Sequence, residues 1–215
     1  MQQLVRSSYA PIIFLIMIIA GLAIFGFAIG VLMAGPSEVI GMHRLSELTC
    51  LQMAGSGSRA TAVLSAFNVQ ELEALLQLLI PGDVVFAWGY GLTFSGVLGL
   101  LTLRMQDRWF EAGVWLMWAP LLASAFDVLE DLGLYQMTSQ MLADGVVGSA
   151  AALTMLFAAS KYVLLAVIGP VYGVLGVLQA IKTDRRARSI GLYVFVVLVA
   201  VSMVQKPLLE IPACF

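Results

Sequence analysis

Three carboxylates close together in an apolar stretch are the residues of this chain best suited to chemistry. Asp127, Glu130 and Asp131 lie within the segment Phe126–Asp131. On a helix, the spacings i, i+3 and i+4 place all three on one face. Ionisable groups inside a membrane segment are costly, so they usually mark a functional or ion-paired site. Such carboxylates could relay protons, act as acid and base, or pair with a lysine.

The elements that carry these acids are expected to be membrane helices. Hydrophobic residues make up 61% of the 215 residues, and charged residues only 11%, whereas soluble domains carry about 25% charged residues. The mean hydropathy is +0.98. Five apolar stretches are long enough to cross a bilayer. The sequence therefore predicts an all-α, polytopic integral membrane helix bundle, one domain over 1–215, with spans at about 11–34, 84–103, 109–132, 147–181 and 189–205.

The segment 35–82 is predicted to be an outer loop of short amphipathic helices. Ser37 is a candidate N-cap for a first helix that reaches Leu48, and glycines and serines at 55–58 break the pattern. A second helix should begin at Asn68, because Glu71 three residues later completes a capping box. Pro81 should stop that helix. Its apolar side consists of Leu72, Leu75, Leu76 and Leu79.

Two further features concern helix shape and contacts. Pro120 is expected to kink the third span, and residues 134–146 are expected to form a connection. The small-residue patterns Gly26-x3-Gly30 and Gly91-x3-Ser95-x3-Gly99 allow helices to approach closely. They favour packing within the chain, with an oligomer face as the alternative.

Basic residues predict the orientation of the chain in its membrane. With five spans, Arg6, the loop at 104–108 and the loop at 182–188 all fall on one side. The positive-inside rule then places the N-terminus in the cytoplasm and the C-terminus outside. We therefore expect a bacterial inner-membrane protein with a periplasmic C-terminus.

Charges from four predicted spans should lie at one depth near the outer boundary. Asp83, Asp127, Lys161 and Lys206 each stand 18 to 21 residues from a basic residue at the cytoplasmic end, which is about 30 Å along a helix. Either this level is a wet interface where lysines reach water, or the charges face inward as a cluster. We predict that Asp127 pairs with Lys161, and that one carboxyl could hold a proton, because two lysines cannot neutralise three acids.

Other residue counts restrict the kind of site. A single His and two distant cysteines lack the ligands of haem, thiolate-zinc and Cys-x-x-Cys redox sites, so no cofactor and no metal is expected. The sequence lacks the basic patch with interleaved aromatics that would indicate binding to nucleic acid. Cys50 and Cys214 should both lie on the outer side, where they could form a disulfide or stay apart.

The pattern D-x-x-E-[DN] at the end of an apolar run, with a Lys on the next span, is matched by Asp127, Glu130, Asp131 and Lys161. In this respect the chain resembles uncharacterised bacterial multi-pass membrane proteins, a family that implies no activity. The residues favour a non-enzymatic protein: an accessory subunit, or a small-ligand or lipid binder with an outward-facing acidic–lysine pocket. Its expected partners are membrane lipid and a homo-oligomer or larger membrane complex. The alternatives are a proton-coupled transporter, or a lipid-modifying enzyme that uses Asp127 or Glu130.

Overall fold

The computed structural model describes residues 5–41 and 44–183, and the secondary structure within these ranges is helical. We number the α-helices in chain order. They are α1 (Ala10–Phe27), α2 (Ala34–Ile40), α3 (Leu45–Gln52), α4 (Gly57–Leu64), α5 (Val69–Gln77), α6 (Val84–Thr102), α7 (Asp107–Leu116), α8 (Ala119–Asp144), α9 (Ala150–Tyr162) and α10 (Gly169–Thr183).

Three π-helical segments extend or join these helices. Ala28–Leu32 extends α1, Leu78–Asp83 joins α5 to α6, and Val163–Ile168 joins α9 to α10. Within the second of these, Ile80 has extended dihedral angles (φ −132°, ψ 112°) directly before Pro81. Pro81 therefore ends the regular part of α5, as predicted, because it disfavours a helical residue before it.

The described chain has three stretches long and apolar enough to cross a membrane. They are Ala10–Leu32, Val69–Thr102 and Asp107–Asp144, and a shorter apolar helix covers Ala150–Leu165. The predicted all-helical architecture is thus confirmed for the described residues, whereas the membrane bundle itself stays a prediction. The predicted fifth span at 189–205 lies outside the described residues, so the number of spans stays a prediction.

The prediction of a connection over 134–146 was wrong for most of its length. Helix α8 continues to Asp144 and ends at Gly145, whose φ of 70° is in the left-handed region. It continues because Leu134 and Met137 are fully buried against the short helices of the outer loop. The acids therefore lie inside a long helix rather than at the end of one.

The third predicted span is broken rather than merely kinked near its proline. Helix α7 ends at Leu116, and α8 begins at Ala119 after two intervening residues, with Pro120 in its first turn. A proline is tolerated there because the first turn of a helix leaves its N–H groups without intrahelical partners.

The outer loop forms a packed cap of four short helices, α2 to α5. The predicted capping box is confirmed: Glu71 N–H donates to Asn68 Oδ1 at 3.0 Å, and Asn68 N–H donates to Glu71 Oε2 at 2.7 Å. Leu72, Leu75 and Leu79 are buried as predicted, while Leu76 is half-buried.

The first predicted loop helix was placed wrongly. Helix α2 begins at Ala34, so Ser37 lies inside it and is not an N-cap. Pro36 does not prevent this start because it occupies the first turn. The helix then ends at Gly41, whose φ of 79° interrupts the expected continuous run to Leu48.

Consecutive long helices pack as neighbours: α1 on α6, α6 on α8, and α8 on α9. Gly89 and Gly96 of α6 let the backbone of α1 approach, since an added Cβ would stand 2.7 Å from Phe25 N or 2.8 Å from Phe14 O. Gly91, Ser95 and Gly99 are buried as their pattern predicted. In contrast, a Cβ on Gly26 or Gly30 would meet no described atom within 4 Å.

Two apolar cores lie along this bundle. One joins the cap to α8 and α9 and contains Leu64, Leu75 and Met137. The other joins α1, α6, α7 and α10 and contains Phe14, Leu101 and Met117.

Cys50 is a half-buried residue of α3 and is disulfide-bonded. Cys214 lies outside the described residues. The pairing of these two cysteines therefore stays a prediction.

Candidate functional site

Four charged side chains meet between α8 and α9 and form what we call the acidic–lysine cluster: Asp127, Glu130, Asp131 and Lys161. Their exposed fractions are 4%, 0%, 0% and 7%. Because all four are withdrawn from solvent, the alternative of a wet interface with water-facing charges was wrong. These four side chains lie inside the protein, as in the inward-facing alternative, and their role as a functional site stays a prediction.

Lys161 is the centre of the cluster. Its Nζ donates to Asp127 Oδ1 at 2.5 Å and also lies 2.7 Å from Glu130 Oε2. The predicted contact between Asp127 and Lys161 is therefore present, and Glu130 shares the ammonium. The two carboxylates stand one helical turn apart on α8, so a single lysine from α9 reaches both.

Tyr90 of α6 completes the environment of Asp127. Its hydroxyl donates to Asp127 Oδ2 at 2.8 Å. Each oxygen of Asp127 thus accepts one hydrogen bond, from Lys161 on one side and Tyr90 on the other. The Tyr90 ring is held in a row of aromatics between Phe86 and Phe94, at centroid distances of 5.8 and 6.0 Å.

Glu130 and Asp131 are much less well satisfied. Among the described residues, neither oxygen of Asp131 has a hydrogen-bond partner, and the same holds for both oxygens of Glu130. Lys161 Nζ lies 2.7 Å from Glu130 Oε2 and forms an ion pair with it, but this contact does not have the geometry of a hydrogen bond. Buried polar atoms without partners are rare in native proteins, which makes Asp131 the most unusual group of the cluster.

Asp83 stands at the junction of α6 with the π-helical segment before it. It is half-buried, and its charge acts on both Asp131 and Glu130. The structure thus brings Asp83 to the cluster, as the common depth predicted. Lys206 lies outside the described residues, so its place at this level stays a prediction.

Close helix contacts on two sides hold the cluster in place. A Cβ on Gly91 of α6 would collide with Ser124 of α8, and one on Gly133 of α8 would collide with Thr154 of α9. Ser124 also donates a hydrogen bond of 2.7 Å to the carbonyl of Ala87, which ties α6 to α8 one turn before Asp127. On the opposite side of α8 from this bond, the rings of Phe126 and Phe157 stack at 6.1 Å between α8 and α9.

Tyr90 and Ser124 were not among the residues predicted from the sequence. The sequence contains a signal for each residue. Tyr90 carries a hydroxyl group inside an apolar span, and the hydroxyl of a buried tyrosine usually finds a hydrogen-bond partner. Ser124 precedes Asp127 by three residues and so shares its helix face. In the described ranges, no group of three or more His, Cys, Asp or Glu side chains is arranged to hold a metal ion.

Comparison of the chain with protein-family models, with curated proteins and with solved structures finds no match.

Proposed function

We propose that this protein is a non-enzymatic, multi-pass membrane protein whose acidic–lysine cluster binds the cationic group of a small ligand or lipid head group. One observation carries the proposal: among the described residues, three buried carboxylates lie beside a single ammonium group, that of Lys161. The excess negative charge is costly in a low-dielectric interior unless a positive group offsets it. Lys161 serves as an example of the group that the cluster accepts.

The setting that we propose is the inner membrane of a bacterium, with the N-terminus in the cytoplasm and the cluster nearer the outer face. Basic residues support this orientation through the positive-inside rule. In this setting the cap helices α2 to α5 lie between the cluster and the periplasm. The expected partners are membrane lipid and a homo-oligomer or a larger membrane complex.

Native mass spectrometry of the purified protein with defined lipids tests the binding function. Phosphatidylethanolamine presents a primary ammonium, whereas phosphatidylglycerol presents none. We expect selective retention of phosphatidylethanolamine, reduced by Glu130→Gln and Asp131→Asn. Asp144→Asn, at an exposed acid of the same helix, is the matched control. Addition of ethylammonium tests a free amine as competitor.

Equal retention of both lipids by all variants, together with no competition by ethylammonium, would contradict the proposal. Competition by ethylammonium without lipid selectivity would instead identify a free amine as the ligand.

A proton-coupled transporter is the second candidate, because Glu130 and Asp131 are buried carboxylates of the kind that proton relays use. Proteoliposomes containing a pH-sensitive dye would show proton flux that Asp131→Asn abolishes.

A lipid-modifying enzyme that uses Asp127 has less support, since both oxygens of Asp127 already accept hydrogen bonds. Glu130, the other candidate acid/base, already forms an ion pair with Lys161 at 2.7 Å.

A further inference from the structure

The charges around Asp131 make its ionised form unfavourable. The described groups that act on it are Asp83 from the start of α6, Asp127 and Glu130 from its own helix, and Lys161 from α9. Three of these four groups are acids. The one ammonium is already engaged at 2.5 Å by Asp127 and at 2.7 Å by Glu130.

Burial removes the remaining means of stabilising a charge on Asp131. Its exposed fraction is 0%, and neither carboxylate oxygen accepts a hydrogen bond from the part of the chain that the structure describes. An isolated buried carboxylate normally becomes neutral, because desolvation is more costly than taking up a proton. Unlike a small molecule or a metal ion, a proton can bind without a cavity and without an ordered coordination sphere.

The helices on two sides of the cluster depart from regular α-geometry where they carry charged residues. Asp83 is the last residue of one π-helical segment, and Lys161 lies two residues before another. Such segments are often found at functional sites, where the wider turn interrupts the regular hydrogen-bond ladder.

We propose that Asp131 is a proton-binding site, and that its carboxyl group is the neutral acid in the folded protein at neutral pH. Asp127 and Glu130 then remain as the two carboxylates that share Lys161. Asp131 adds a proton donor inside the bundle, next to an ion pair. The proposal concerns the resting protein without a ligand; a cation bound at the cluster would take the place of the proton and leave Asp131 ionised.

Infrared spectroscopy of the full-length protein in bilayers tests this assignment, because a protonated carboxyl has a C=O stretching band distinct from that of a carboxylate. At neutral pH we expect such a band in the wild type, with its frequency lowered in heavy water. Asp131→Asn should remove it, while Asp144→Asn and Glu130→Gln should retain it. Absence of the band in the wild type, or its persistence in Asp131→Asn, would overturn the proposal.

Thermal unfolding in detergent supplies a second, independent readout. Asparagine is close in shape to a neutral aspartic acid, so Asp131→Asn should melt within a few degrees of the wild type. Asp127→Asn, which removes a carboxylate in contact with Lys161, should lower the melting temperature clearly more. If Asp131→Asn lowers it as much as Asp127→Asn does, Asp131 is an ionised partner and the assignment is wrong.

Discussion

At the scale of single residues, Lys161 has an unusual position because one ammonium serves two buried carboxylates. Asp127 has a further donor in Tyr90, whereas Lys161 is the one partner of Glu130 within residues 5–41 and 44–183. The loss of the lysine therefore leaves two acids without a counter-charge. The loss of Asp127 leaves the ammonium paired with Glu130.

This asymmetry predicts the outcome of a double-mutant cycle. Lys161→Met should cost about 3–5 kcal/mol, the usual range when one partner of a buried pair is removed. Asp127→Asn should cost less, because Glu130 retains the ammonium. The double variant should cost less than the sum of the two single changes. Reversible unfolding in detergent provides the measurement.

Additive losses in that cycle would show that the two residues do not interact in the folded protein. Asp144→Asn controls for a change of charge on α8 that involves no buried partner. It should leave stability within about 0.5 kcal/mol of the wild type, as is usual for surface substitutions.

At the scale of elements, α6 depends on glycines to approach α1. A Cβ on Gly89 would stand 2.7 Å from Phe25 N and 2.8 Å from its Cα. These are backbone atoms, which cannot rotate away as a side chain can. The two helices would have to separate to accept any larger residue.

Gly89→Ala should therefore destabilise the protein by about 1–3 kcal/mol, the usual cost of overpacking. Gly26→Ala is the matched control on α1, since its Cβ would meet no described atom within 4 Å. The melting temperatures of the Gly89→Ala and Gly26→Ala variants in detergent provide the measurement. Equal effects of the two changes would mean that close packing of α1 on α6 does not determine stability.

The capping box of α5 gives a second prediction at this scale. Asn68→Ala removes the side chain that accepts from Glu71 N–H, and should cost about 1 kcal/mol. Hydrogen exchange should accelerate most in the first turn of α5. Gln70→Ala changes an exposed residue of the same turn and should leave exchange nearly unchanged. Similar exchange in both variants would contradict a capping role.

At the scale of the whole molecule, the orientation of the bundle can be measured by labelling. The cap helix α5 and the connection between α6 and α7 should lie on opposite sides of the membrane. Glu73→Cys and Gln106→Cys both place a thiol at an exposed position. A membrane-impermeant maleimide added to intact cells should label the first and not the second. The reverse pattern would invert the predicted orientation.

The disulfide of Cys50 offers another whole-molecule prediction. If its partner is Cys214, the tail is tied to the cap within one chain, and a non-reducing gel should show a monomer whose mobility changes on reduction. Cys50→Ser should abolish that change. A dimer band that disappears with reductant would instead assign the bond to two copies of the chain.

Sequence alone determined the class of this protein and much of its local structure. The apolar composition and the long apolar stretches predicted membrane helices, because a backbone that faces lipid must satisfy its own hydrogen bonds. Local signals sufficed for the capping box at Asn68 and the break at Pro81, since both depend on residues a few positions apart. The contact between Asp127 and Lys161 was predictable because consecutive antiparallel helices carry these charges at one height.

Tertiary structure decided whether the charges face water or protein. Helix α8 extends past the acids because Leu134 and Met137 pack on cap helices that are distant in sequence. Glu130 and Asp131 lie one turn earlier in the same helix and are fully buried, and no local sequence pattern predicts that burial. The hydrogen bond from Tyr90 to Asp127 also depends on tertiary structure, since the two residues lie on different helices. Side-chain type shows which groups can form an ion pair, but only the packing of helices determines which of them lack a partner.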